Sequence, residues 1–101
     1  MKIEKIKSYL GFAIRSGEII FGYDKLMDSR KIPGLVIVCS TQNDKVACKV
    51  HRYCDERNIT FIQLKDMVLG DLIGRDNCKV VGIVNRNLAQ ALENELKNGS
   101  L

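Results

Sequence analysis

The sequence predicts a mixed α/β fold of three layers, and three observations predict it. Segments with helical spacing alternate with short strand-like segments from one end of the chain to the other. Leu35-Val36-Ile37-Val38-Cys39 is a continuous apolar run of strand length, the character of a strand covered on both faces. No linker, repeat or low-complexity stretch interrupts the 101 residues. One domain over residues 1–101 is therefore expected, long enough to bury a core without staples.

Each element has its own local warrant. Ile3, Ile6, Leu10, Ala13 and Ile14 recur at helical spacing with lysines between them, which predicts an amphipathic helix over 3–15 ended by Gly17. Glu18-Ile19-Ile20-Phe21 is too short for a helix, rich in strand formers and bounded by Gly17 and Gly22, so a short strand is expected. Residues 24–30 resume helix-compatible composition until Ile32-Pro33-Gly34 forms a turn. The apolar run 35–39 should be the central strand. Ser40-Thr41-Gln42-Asn43-Asp44 supplies loop and N-cap chemistry before a helix over 44–57, with Val46, Val50, Tyr53 and Cys54 on its inner face. A strand at 59–64, a short helix at 65–73 ending at Gly74, and a turn at Arg75-Asp76-Asn77 follow. Residues 79–84 read as the last strand, and 88–96 as a closing helix with Leu88, Ala89, Leu92 and Leu96 on one face.

Composition narrows the function classes. An apolar content of 46% with 28% charged residues is that of an ordinary globular protein. No apolar run approaches the roughly 20 residues that span a bilayer, and MKIEKIKSYLGF lacks the long apolar core and cleavage site of a signal peptide. A cytoplasmic protein with no membrane partner is expected. Cys39, Cys48, Cys54 and Cys78 form no Cys-x-x-Cys pair and read as reduced, mostly buried small hydrophobes. Sixteen basic and twelve acidic residues give +4, and residues 1–34 hold seven Lys/Arg against four acids. That bias favours a polyanionic partner near the N-terminal third.

Candidate chemistry is sparse. Cys48, His51 and Cys54 fall at i, i+3 and i+6, but zinc wants four ligands and no fourth partner is evident. A helix with two half-buried cysteines and a surface histidine explains them. No serine sits in a G-x-S-x-G context, so nucleophilic catalysis has no support. Gly70-Asp71-Leu72-Ile73-Gly74-Arg75 lacks both G-x-G-x-x-G spacing and a G-K-[ST] ending; its glycines suit close packing and a helix C-cap better than a phosphate loop. No metal, cofactor, small-molecule substrate or enzymatic activity is expected.

Five segments in this order resemble a known family. LGFAIRSGEIIFGYDKL is similar to an opening helix, strand and glycine-led second helix, and LVIVCSTQND to a central strand with its loop. YCDERNITF, LGDLIGR and VVGIVNRNLAQAL match the segments that follow. Together they resemble the kink-turn RNA-binding superfamily of ribosomal proteins L-seven-Ae and L-thirty-e, with closest likeness to its bacterial YlxQ-type, ribosomal-protein-like branch. The resemblance implies an α/β/α sandwich with a four-stranded mixed sheet. It further implies binding to RNA bent by an internal loop with tandem sheared G·A pairs, with structured RNA, including ribosomal RNA, as partner, and a monomeric protein.

The implied contacts come from two loops. In the first, Gly22 matches the family glycine, followed by Tyr23, Asp24, Lys25 and Asp28, with Arg15, Arg30 and Lys31 flanking. In the second lie Leu64, Lys65, Val68, Leu69, Gly70 and Arg75. Gly22 at a helix start leaves N–H groups unpaired near the positive end of a dipole, and its missing Cβ admits a close RNA backbone. Asp24 stands where the family's RNA readers have Asn, Lys25 where they have Glu, and Asp28 where they have Lys. Two functions follow: an RNA-binding module, or a protein-assembly module that keeps the fold and has lost kink-turn recognition.

Overall fold

A computed structural model describes residues 3–65, 68–75 and 78–99. The elements in chain order are α1 (Ile3–Ser16), β1 (Ile19–Phe21), α2 (Tyr23–Asp28), β2 (Leu35–Val38), α3 (Asp44–Arg57), β3 (Thr60–Gln63), α4 (Leu69–Ile73), β4 (Val80–Ile83) and α5 (Arg86–Gly99). The four strands form one mixed sheet in the order β1-β4-β2-β3. β4 is antiparallel to both β1 and β2, whereas β2 and β3 run parallel. The three-layer α/β architecture and the four-stranded mixed sheet are those the sequence predicts.

Strand alternation decides which helix covers which face. Leu35, Ile37, Val81 and Ile83 point to the layer of α1, α4 and α5, where they pack with Ile6, Leu10, Leu69, Leu72, Ala89 and Leu92. Val36, Val38 and Val80 point the other way, to Leu26 of α2 and to Ala47, Val50, Tyr53 and Cys54 of α3. Every residue of β2 and β4 is buried, as an uninterrupted apolar run requires of a central strand. Gly82 is the close-approach point: a Cβ there would lie 3.2 Å from Leu26 Cδ1 and 3.2 Å from Pro33 Cβ. Its bare backbone lets α2 and the Pro33 turn settle directly on β4.

The element boundaries depart from the sequence expectation where tertiary hydrogen bonds intervene. α4 starts at Leu69, not at Lys65: Val68 is extended, and the Leu64 amide is already bonded to the Val38 carbonyl at 2.9 Å as a continuation of β3. Asp66 and Met67 lie outside the described residues. α2 stops at Asp28, short of Arg30, because Ser29 turns extended and its Oγ accepts the Lys31 amide at 3.1 Å. α5 begins at Arg86, two residues earlier than expected, since Asn85 Oδ1 accepts the amides of Asn87 and Leu88 at 2.9 and 3.1 Å. On α3 the inner face includes Ala47, while Val46 is only partly buried. Among the described residues no helix is long and apolar enough to cross a membrane.

Candidate functional site

Strand direction gathers the loops. Because β1, β2 and β3 run the same way and β4 runs against them, the ends of β1, β2 and β3 and the start of β4 share one edge of the sheet. Three backbone bonds mark that edge: Gly22 N–H to the Val80 carbonyl at 2.7 Å, Cys39 N–H to Lys79 at 2.8 Å, and Leu64 N–H to Val38 at 2.9 Å. The Gly22 turn and the β3–α4 segment, far apart in sequence, therefore open on the same side.

Gly22 adopts φ 88° and ψ 158°, a conformation essentially reserved for glycine. No atom lies within 4 Å of where its Cβ would stand, so the backbone, not packing, demands glycine, and the space before it is open. Its own amide is taken by the Val80 carbonyl, so the amides that a helix start leaves without an intrahelical partner are those that follow it on α2. The Gly22 carbonyl accepts the Leu26 amide at 3.1 Å, and no side chain caps α2. Asp24, Lys25 and Asp28 are exposed, whereas Tyr23 is half-buried against the core beneath α2. The depression between β1 and α2, lined by Phe21, Lys25 and Asp28 among others, is wide open to solvent.

The second loop divides sharply by burial. Leu64 and Leu69 are core side chains, so they fix the loop rather than face outward. Val68 is 45% exposed, Lys65 is exposed and Gly70 half-buried. The loop is tethered to β2 through sulfur: the Leu69 amide lies 3.4 Å from Cys39 Sγ, which is itself 3.2 Å from Thr41 Oγ1. Burial alone would raise the Cys39 thiol, but the Thr41 hydroxyl and amide and the Leu69 amide outweigh it and hold the thiol below its ordinary value.

Arg75 joins the two loops. Its guanidinium carbon stands 4.0 Å from the centroid of the Phe21 ring, immediately before Gly22, while its amide bonds the Gly70 carbonyl at 3.1 Å. Gly74 ends α4 in the left-handed region, as a C-cap glycine does. Cys39 and Lys79 also line this edge, and Lys79 is exposed. Neither carries a sequence signal of its own, although a cysteine ending an apolar run two residues before a threonine is the pattern to look for.

Three of the expected residues are not brought here. Arg15 precedes the start of β1, where the Glu18 carbonyl accepts the Val84 amide at 3.0 Å, on the opposite edge of the sheet. Arg30 and Lys31 lie in the return segment leading to Gly34, whose amide bonds Ile83 at 2.8 Å on that same opposite edge. The backbone thus sets all three apart from the Gly22 turn. Elsewhere, Cys48 is exposed, Cys54 is buried and His51 stacks on Phe61 with centroids 4.7 Å apart, so the three point to different surroundings. Among the described residues no cluster of three His, Cys, Asp or Glu side chains is placed to hold a metal ion.

A family profile described as the ribosomal protein L7Ae/L30e/S12e/Gadd45 family matches residues 4–93. The chain belongs to this family. A solved structure, that of a protein with unknown function from Bacillus halodurans, superposes on this L7Ae-family chain with a TM-score of 0.82 at 22% identity, covering 92% of this chain and 97% of that one. That likeness shows the fold. No curated protein matches the sequence. Membership in the L7Ae family makes the chain ribosomal-protein-like.

Proposed function

We propose that this L7Ae-family chain is a non-enzymatic RNA-binding protein that receives a kinked, internal-loop RNA on the strand-end edge of its sheet. The observation that carries the reading is that the Gly22 turn and the β3–α4 segment open at the same strand ends, with Arg75, at the end of α4, stacked on Phe21 beside Gly22. The open space before Gly22 admits a sugar-phosphate backbone, and the amides that follow it on α2 lack a side-chain cap. An internal loop exposes base edges that regular A-form RNA hides. Asp24 accepts from guanine N–H groups or an exocyclic amine, and Val68 covers a base splayed from the stack. Lys25, Lys65, Arg75 and Lys79 supply phosphate attraction. Leu64, Leu69 and Tyr23 position the loops from within the core. A cytoplasmic, ribosome-associated monomer is the setting that agrees with this reading.

One observation favours a second reading, a protein-assembly module that has kept the fold alone: Asp24 and Asp28 are both exposed on α2, against a single Lys25. A titration separates the two. A kink-turn RNA with tandem sheared G·A pairs should bind more tightly than the same RNA with Watson–Crick pairs in their place. Equal binding, or none at low salt, would sink kink recognition, and a stable complex with a protein partner would then favour assembly.

A further inference from the structure

The α2 end of the candidate edge is poor in positive charge, and the adjacent helix is not. On α3, Lys45, Lys49 and Arg52 are all exposed and sit at i, i+4 and i+7, a spacing that aligns them along the face opposite Ala47, Val50 and Cys54. With Asp44 and the exposed Cys48 they line a shallow, open depression. None of the three cations makes an ion pair among the described residues. The acids of this helix lie at its ends, Asp44 at the start and Asp55 and Glu56 in the last turn, so the stretch between is uniformly basic.

This stripe begins near the edge described above and runs away from it along α3. α3 begins five residues after Cys39, whose amide bonds Lys79 on that edge, and its side-chain N-cap on Asn43 fixes the direction in which it leaves. α2 and α3 cover the same face of the sheet and share one apolar cluster. From Lys45 to Arg52 the cations extend about 10 Å along a rigid helix, at 1.5 Å per residue. The large exposed hydrophobic residues, Phe12, Ile32 and Val68, lie elsewhere, so the face has positive charge without an apolar wedge for a lipid surface.

We infer that the outer face of α3, through Lys45, Lys49 and Arg52, is a second phosphate-binding surface, taking a flanking helical arm of the RNA whose internal loop rests on the strand-end edge. The inference rests on the RNA reading above. It assigns the loop to recognition and the arm to sequence-independent attraction.

Two measurements test it. First, the triple variant Lys45→Gln, Lys49→Gln, Arg52→Gln is compared with wild type on a kink-turn RNA with a long flanking stem, across a range of salt. The slope of log K against log salt should become shallower by about two, as for two to three lost phosphate contacts. The melting curve should not move, because all three residues are exposed. Shortening the stem to the pairs next to the loop should cost wild type the same slope and cost the variant nothing more. Second, alkylation of Cys48 by a maleimide, read by mass spectrometry of its peptide, should slow several-fold when the long-stem RNA is bound and stay unchanged with the short-stem RNA. An unchanged slope in a variant that still binds, or a Cys48 that reacts equally with and without the long stem, would overturn the inference and leave the α3 face to another class of partner. If wild type binds neither RNA, the RNA reading itself falls, a result distinguishable because it precedes any variant.

Discussion

The Arg75 guanidinium lies over the Phe21 ring at 4.0 Å, and this contact joins the end of α4 to the end of β1 beside Gly22. A cation is thereby held at the candidate edge by a ring face, which leaves its N–H groups able to meet a phosphate. Arg75→Ala should lower stability by only about 0.5–1 kcal/mol, the scale of an exposed cation–π contact. It should weaken kink-turn RNA binding by about tenfold, the loss of one charge-assisted hydrogen bond of about 1.5 kcal/mol. Arg75→Lys should recover part of the affinity, because the charge remains while planar stacking is lost. Calorimetric melting and RNA titration read the two effects separately.

At Gly22 the backbone itself is the constraint. With φ 88° and ψ 158°, any side chain forces strain of about 1–3 kcal/mol although the space around it is empty. Gly22→Val should therefore shift the urea midpoint downward, and its RNA affinity should be measured well below that midpoint. A variant with wild-type stability would contradict the assigned conformation.

The frame was legible in the sequence for a physical reason. Leu35–Cys39 has no polar face because β2 has no exposed face, and α1 and α3 show their buried stripes at helical spacing. The Gly22 turn was legible because its conformation admits little but glycine. What escaped depends on contacts between segments distant in the chain. Lys65–Val68 has helix-compatible composition, yet the Leu64 amide is held by Val38 and the loop is pinned by Leu69 on Cys39 Sγ, 30 residues away. Arg15 is close to Gly22 in sequence but not in space, since the three residues of β1 intervene and at about 3.3 Å each place them some 10 Å apart along the strand. Arg75, distant in sequence, reaches the turn through the fold.

Asp24 offers a test of charge at the edge. It is exposed on α2 with Asp28, so both acids repel a phosphate backbone there. Asp24→Asn should tighten RNA binding severalfold at low salt, with the gain shrinking as salt screens it. A loss of affinity on the same substitution would mean that the hydrogen bond Asp24 accepts from the base depends on its charge and outweighs the repulsion.

Gly82→Ala tests how α2 is seated. The added methyl would stand 3.2 Å from Leu26 Cδ1, which can rotate away, and 3.2 and 3.3 Å from Pro33 Cβ and Cγ, which belong to a rigid ring. Overpacking of this kind costs about 1–3 kcal/mol. Because Leu26 is the buried anchor of α2, the same variant should also weaken RNA binding, unlike a surface substitution of equal stability effect. Chemical denaturation and RNA titration on the one sample decide it.

Cys54 gives the fold a defined alkaline weakness. Burial between α3 and the sheet pushes its thiol from 9.0 up to about 11, with the nearby Arg57 charge opposing the shift. In the unfolded chain the thiol ionises near its ordinary value, whereas in the folded chain it stays protonated until about 11. The neutral form is therefore the one the native state favours. Its contribution is fully present below pH 9 and is lost as pH rises from 9 through about 11, because the unfolded state gains ionisation that the folded state does not. Unfolding free energy measured across that interval should fall more steeply for wild type than for Cys54→Ala, whose overall stability is lower because a buried sulfur is removed. The same burial should keep Cys54 unreactive toward maleimide in the folded protein at neutral pH while exposed Cys48 reacts, and equal rates for the two would show that α3 opens from the sheet.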